Sequence, residues 1–282
     1  MRLSIVTPSF RSSRWLRLCV ASVADQGVTG EHLVQDAGSD DGTLDWLARD
    51  PRVQLFVEPD RGMYDAVNRG YRRSQSDLLA YLNCDEQYLP GALSKVLAFF
   101  EAHPEVDIVF GDCLIVDAAG DYLCERRALT PQLLHTWTAS NLAFLTAATF
   151  IRRRVLDAHQ LWFNADFRDA GDQDWALRVV KSAVKCAVLP EFLSVFTETG
   201  ANMNLGANAT RERREFHATA PAWARLLAPL AVLHFRLRRW CAGHYRCRPH
   251  DYAIFTHENP DRRKVFHVAK PTFRWVRPAP AR

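Results

Sequence analysis

The sequence predicts an α/β domain with a mostly parallel sheet flanked by helices, followed by a basic helical extension, and three observations carry that expectation. Apolar strand-like runs alternate with helix-period segments four times between Leu3 and Phe100. Acidic loops follow several of those runs, where open α/β sheets bind ligands. Charge is also divided. Residues 1–210 hold 20 Lys and Arg against 27 Asp and Glu, whereas residues 211–282 hold 16 against 5, so a net −7 precedes a net +11.

The elements can be justified in order. Leu3–Thr7 is a short apolar run closed by Pro8, and Trp15, Leu18 and Val23 follow at near-helical spacing. His32–Gln35 leads through Asp36-Ala37-Gly38-Ser39-Asp40-Asp41-Gly42 into a helix at Thr43–Leu47. Val53–Val57 precedes a helix with Met63, Ala66, Val67, Gly70 and Tyr71 on one face. Leu78–Leu82 runs into Asn83-Cys84-Asp85-Glu86, and Pro90-Gly91 opens a helix through Phe100. After Val106–Phe110 the pattern changes, because Cys113–Val116 and Tyr122–Glu125 flank Asp117-Ala118-Ala119-Gly120 as a hairpin would. Ala148–Arg152 predicts a strand, Asp172–Ser182 a helix, and Cys186–Val195 a last strand. The division expected is a catalytic domain over 1–210 and a basic amphipathic extension over 211–282.

A chain of 282 residues with 48% hydrophobic content can bury a sizeable core. Its seven cysteines are odd in number and lack a framework spacing, so reduced thiols and a cytosolic setting are expected. The chain enters directly on Leu3-Ser4-Ile5-Val6 without a leader pattern, and no apolar run reaches the roughly 18 residues of a spanning helix.

Three acidic clusters follow apolar runs: Asp36 to Asp41, Asp85-Glu86, and Asp172 to Asp174. Convergent carboxylates can hold a divalent cation or act as a general base, and each cluster taken alone also fits a turn or helix cap. Their order, with Ser4-Ile5-Val6-Thr7-Pro8-Ser9-Phe10, Gln35 to Thr43, Glu58 to Gly70, Leu82 to Glu86 and Ala170 to Trp175, resembles the family 2 glycosyltransferases of the GT-A fold, in particular their bacterial polysaccharide branch. The resemblance covers residues 1 to 200.

It implies a GT-A fold and an inverting transfer of one sugar from a nucleotide-sugar donor to a hydroxyl acceptor, with UDP the default nucleotide and a lipid-linked glycan the expected acceptor. Nucleotide binding is implied for Thr7, Pro8, Phe10, Asp36, Ser39, Asp40, Arg61, Asp65, Asn83 and Cys84, with Asp36 facing the base and Arg61 the phosphates. Gly38 and Gly42 give the intervening loop its freedom. Asp85 aligns with the last carboxylate of the metal motif and implies Mg²⁺ or Mn²⁺. Asp174 aligns with the general base, with Asp172 as the helix cap, and those two roles can be exchanged.

The sequence departs from the family's pattern in two places. Asn83 stands where the metal motif has its first Asp, and Thr146-Ala147 stand where the polysaccharide branch often has His-Gln. The basic tail, with Arg225, Arg236, Arg238 and Arg239 beside Trp223, Leu226, Leu230, Leu233 and Phe235, predicts an anionic membrane surface as a partner and a peripheral place on the inner face of the cell membrane. Nucleic acid is not expected, since acidic loops would repel it. A metal-dependent nucleotidyltransferase, and a nucleic-acid module using the tail, are the competing readings.

Overall fold

The computed structural model describes residues 1–139, 141–200, 202 and 206–276; residues 277–282 of the expected extension lie outside them. The first stretch runs β1 (Leu3–Ser9), α1 (Ser13–Ala24), β2 (Gly30–Asp36), α2 (Thr43–Leu47), β3 (Gln54–Val57), α3 (Met63–Arg73), β4 (Leu78–Tyr81), β5 (Glu86–Tyr88) and α4 (Ala92–Ala102). It continues with β6 (Ile108–Asp117), β7 (Tyr122–Arg126), α5 (Leu133–Thr138), β8 (Thr149–Arg152), α6 (Arg154–Asp157), α7 (Gly171–Lys181) and β9 (Cys186–Glu198). The remainder holds α8 (Ala207–Ala218), α9 (Ala222–Leu226), α10 (Ala228–Cys241), β10 (His250–Thr256) and β11 (Asn259–Val268).

One sheet has the order β3-β2-β1-β4-β8-β6-β9-β5, with β7 paired to β6. The strands β3, β2, β1 and β4 are all parallel, as four successive βα units require. Beyond β4 the sheet is mixed: β8 runs antiparallel to β4 and β6, while β9 lies parallel to β6. Pro190 and Glu191 fall at a register shift of the β6–β9 pair, which lets a residue without an N–H sit in a long strand.

Strand alternation sends neighbouring residues to opposite faces of this sheet. Val6, Leu79, Ile108 and Phe110 join Tyr64, Val67, Tyr71 and Trp175 under α3 and α7. Ile5, Leu78, Ala80 and Val109 join Leu93, Val96 and Phe100 under α4, with Cys19 of α1. Both faces are covered, which accounts for strands that read as continuous apolar runs.

The expected boundary at 210/211 falls inside α8, and the extension contains a β10–β11 hairpin as well as helices. Tyr252, Ile254 and Val268 of that hairpin are buried with Leu89, Leu114, Val116 and Val195. Gln87 and Phe255 exchange side-chain and backbone hydrogen bonds of 2.9 Å each, and Arg263 grips Asp25 through two bonds of 2.6 Å. Its basic residues hide a β pattern that completes the core, which a count of charge does not reveal.

Candidate active site

A cleft of about 980 Å³ opens beyond the carboxyl ends of the parallel strands. Pro8 near the end of β1 with Phe10 and Arg11 after it, Ala37 after β2, and Asp60 and Arg61 after β3 form one wall, with Tyr81 at the end of β4 and Asn83, Cys84 and Asp85 after it at its base. Leu142, Thr146 and Asp172 come from beyond α4, and Arg126, Arg213 and Trp275 complete the opposite side. Pro8, Phe10, Arg61, Asn83, Cys84 and Asp85 therefore share one cavity.

The other nucleotide-binding expectations are not part of that lining. Thr7 is buried, with its hydroxyl 2.9 Å from His32 Nε2. The Asp36 carboxylate is buried and accepts hydrogen bonds from Ser9 Oγ, Gly38 N, Ser39 N and Ser39 Oγ at 2.7–2.9 Å. Four donors occupy it, so it fixes the loop that carries Ala37. Ser39 Oγ in turn accepts the Arg11 N–H at 2.8 Å, and the Arg11 guanidinium makes two bonds to Asp40. Arg11 holds a positive φ of 49°, a conformation that this clamp maintains. Ser39 and Asp40 thus act through Arg11, a cleft residue that a lone arginine in a loop sequence does not announce.

Asp65 is also a supporting residue. It accepts the Arg61 N–H at 3.1 Å and an Arg69 Nη2 bond at 2.9 Å, which pins the turn that presents Arg61. Gly62 follows at φ 132°, where a side chain is strained, and its N–H reaches Asp60 at 2.8 Å.

In the Asn83–Glu86 turn, Asp85 Oδ2 accepts from Asn202 Nδ2 at 3.1 Å, while Cys84 Sγ donates to the Pro8 carbonyl at 3.1 Å. Glu86 is buried and takes the Asn83 N–H at 2.8 Å, so one of its carboxylate oxygens closes its own turn. Burial pushes both carboxyls up, and the neighbouring Asp85 charge pushes Glu86 further.

The two aspartates of α7 differ in setting. Asp174 is absent from the cleft lining and its Oδ2 is bonded to Arg178 Nε one turn later at 2.8 Å. Asp172 lines the cleft, and its Oδ1 takes the N–H of Gln173 at 2.9 Å. Its own N–H donates to Tyr64 Oη at 3.0 Å. Gly171 permits that approach, since a Cβ there would meet Tyr64 Cε2 at 2.7 Å. Burial raises the Asp172 carboxyl to about 6, against the lowering effects of the Gln173 N–H and Arg213.

The family model of Glycosyl transferase family 2 matches residues 4–159, more than half of the chain. The chain belongs to that family. Among its relatives, a PGL/p-HBAD biosynthesis glycosyltransferase of Mycobacterium bovis is 26% identical over 250 residues, spanning 84% of this chain and 90% of that protein. An uncharacterized glycosyltransferase of Mycobacterium tuberculosis is 36% identical over 184 residues, spanning 62% and 68%. S. aureus TarS, solved in complex with UDP-GlcNAc, superposes with a TM-score of 0.59 at 16% identity over 86% of this chain and 73% of that one. The mannosyltransferase PcManGT from Pyrobaculum calidifontis, solved with GDP-Man and Mn²⁺, gives 0.56 at 18% identity over 87% and 76%. These likenesses show the GT-A fold, and the family makes the chain a glycosyltransferase.

Family 2 glycosyltransferases imply a divalent cation, and the residues can be tested for one. Asp85 offers the cleft one carboxylate, and among the described residues no three His, Cys, Asp or Glu side chains gather as a metal site. One carboxylate completed by diphosphate oxygens and water is a donor set that Mg²⁺ accepts, so the fit requires the donor substrate. Sequence reasoning left Arg126 and Trp275 unassigned, and they stand apart at the far side of the cleft. Arg126 is partly buried, its guanidinium 5.6 Å from the Trp275 ring, and burial lowers its pKa. No ion pair holds Arg126 among the described residues.

Proposed function

We propose that this glycosyltransferase moves one sugar, with inversion, from a nucleotide-sugar donor to the hydroxyl of a lipid-linked glycan, and that UDP is the donor's nucleotide. The observation that carries this reading is the pair of carboxylates, Asp85 and Asp172, on the walls of one cleft at the ends of parallel strands. The names of the relatives and the UDP-GlcNAc and GDP-Man complexes of the fold neighbours support a nucleotide sugar.

In this reading Pro8, Phe10 and Ala37 receive the nucleoside, and Asp36 fixes the shape of their loop. Arg61 and Arg11 lie toward the phosphates. Asp85 holds Mg²⁺ or Mn²⁺, which when bound offsets the charge developing on the nucleoside diphosphate. Asp172 takes the role first expected of Asp174: it accepts the proton of the acceptor hydroxyl as that oxygen bonds to the anomeric carbon and the bond to the diphosphate breaks. Arg178 engages Asp174, whereas Asp172 borders the cavity where an acceptor can lie.

The test is transfer against donor binding in two variants. Asp172→Asn is expected to lower turnover by about 10²–10⁴-fold with nucleotide affinity kept. Asp174→Asn is expected to stay within a fewfold of the parent. If Asp174→Asn abolishes transfer and Asp172→Asn does not, the base is misassigned; if neither matters, the inverting mechanism fails.

A further inference from the structure

The cleft leaves one surface unused, the outer side of α9 and α10. Leu226, Leu230, Leu233, Leu237 and Trp240 recur at alternating steps of four and three residues, and each is 50–80% exposed. That spacing gathers them into one stripe along a helical surface. Helices normally turn such a stripe inward. Here the inward side is made by other residues: Ala224 and Ala231 are buried, Phe235 stacks on His135 with ring centroids 3.8 Å apart, and Arg238 donates to the Thr130 carbonyl and hydroxyl at 3.0 and 2.9 Å. The helix is thus already anchored to α5, and its apolar stripe faces away from the protein that anchors it.

We propose that this stripe is a docking surface for an anionic lipid bilayer. Charge selects that occupant over a second copy of the chain. α9 and α10 carry Arg225, Arg236, Arg238 and Arg239 and no Asp or Glu, so two copies meeting there would bring like charges together while an anionic surface attracts them. Arg225 and Arg236 are exposed and lie beside the stripe. Trp240 closes the stripe at the end of α10, and indole rings favour the polar–apolar boundary of a membrane. Among the described residues no helix is long and apolar enough to cross a membrane. With its fourteen residues, α10 spans about 21 Å and suits lying in the interface.

The full chain should float with vesicles of phosphatidylcholine and phosphatidylglycerol at low salt, stay behind with phosphatidylcholine alone, and be released as salt screens the attraction. Leu233→Glu with Leu237→Glu is expected to lower the bound fraction about tenfold or more, and Arg236→Glu about fivefold. Both variants change exposed positions and should keep the parent's melting temperature. No donor or acceptor enters the assay, so its outcome is independent of the transfer reading. A parent that ignores anionic vesicles, or a double variant that floats equally well, overturns the proposal. So does a parent that light scattering finds dimeric and the double variant monomeric, because the stripe then belongs to a second copy.

Discussion

The two halves of the sheet face the same cleft, but they are assembled by different rules. In the β3-β2-β1-β4 half every strand is parallel and each cleft residue follows its strand directly: Phe10 after β1, Ala37 after β2, Arg61 after β3, Asp85 after β4. Topology alone delivers them to one edge. In the β8-β6-β9-β5 half the strands run both ways, and Arg126, Asp172 and Trp275 arrive from the end of β7, the first turn of α7 and the chain after β11. Position there depends on tertiary packing, and in the proposed reading the parallel half receives the nucleotide and the mixed half the acceptor.

The two largest expected effects, at Asp85 and Asp172, test that division. Asp85→Asn removes the carboxylate proposed to hold the cation, and turnover should fall by about 10²–10³-fold. The cation-dependent part of donor binding should fall with it, measured by calorimetry with and without Mn²⁺. Asp172→Asn, in the other half, should spare donor binding. Should the two variants lose donor affinity alike, the halves do not divide donor from acceptor.

A smaller effect probes the join between the halves. Tyr64 on α3 belongs to the parallel half, yet its hydroxyl accepts the N–H of Asp172 and its ring packs against Gly171. Tyr64→Phe leaves that N–H without its acceptor, at a cost of about 1–3 kcal/mol in unfolding free energy. Gly171→Ala forces the ring aside, for about the same cost. Each should lower turnover more than donor affinity. Urea unfolding and steady-state kinetics on the same samples would show it, and unchanged kinetics in both would remove the positioning role.

Periodicity and turn chemistry made the parallel half legible. Apolar runs, their bounding loops and the ordered acidic motifs were enough to find Phe10, Arg61, Asn83, Cys84 and Asp85 in the cleft. Asp36, Ser39, Asp40 and Asp65 were legible as belonging to the site region but not as residues that support it, because a carboxylate that meets a ligand and one that braces a loop have the same sequence. Asp172 and Asp174 share a helix turn, and only the location of Arg178 and Tyr64 separates them. The β10–β11 hairpin was hidden by the charge of its outward residues, whereas its buried Tyr252, Ile254 and Val268 alternate too briefly to stand out. Trp275 lies far along the chain from every motif, and no local pattern links it to the cleft.

Titration of Asp172 sharpens the comparison further. Its folded pKa is raised to about 6, so the ionised form that accepts a proton is depleted as pH falls through that value. The acid limb of kcat/KM should therefore bend near pH 6 and vanish from the residual activity of Asp172→Asn. Stability runs the opposite way. A raised folded pKa contributes stability that is complete below the unfolded value and lost as pH rises through the folded one. Asp172→Asn should consequently melt higher than the parent at about pH 8, with the gain shrinking toward about pH 4. An acid limb that persists in this variant assigns the titration to another group.

The smallest effect is expected at Asp174, and it decides how the α7 motif is read. Its carboxylate pairs with Arg178 one turn along the same helix, with both side chains partly open to solvent. Pairs of that kind contribute about 0.5 kcal/mol or less, and salt weakens them. Asp174→Asn should therefore lower unfolding free energy by no more than that, leave the pH profile in place, and change turnover by less than about threefold. A loss of activity comparable to that of Asp172→Asn, at unchanged stability, would mean that α7 turns on substrate binding to bring Asp174 into the cleft. The present packing makes that movement costly, because Gly171 is wedged against the buried Tyr64 ring and Trp175 Nε1 is bonded to the Leu161 carbonyl at 2.8 Å. With the helix fixed on both sides of the motif, Asp172 stays at the cleft and Asp174 stays beside Arg178.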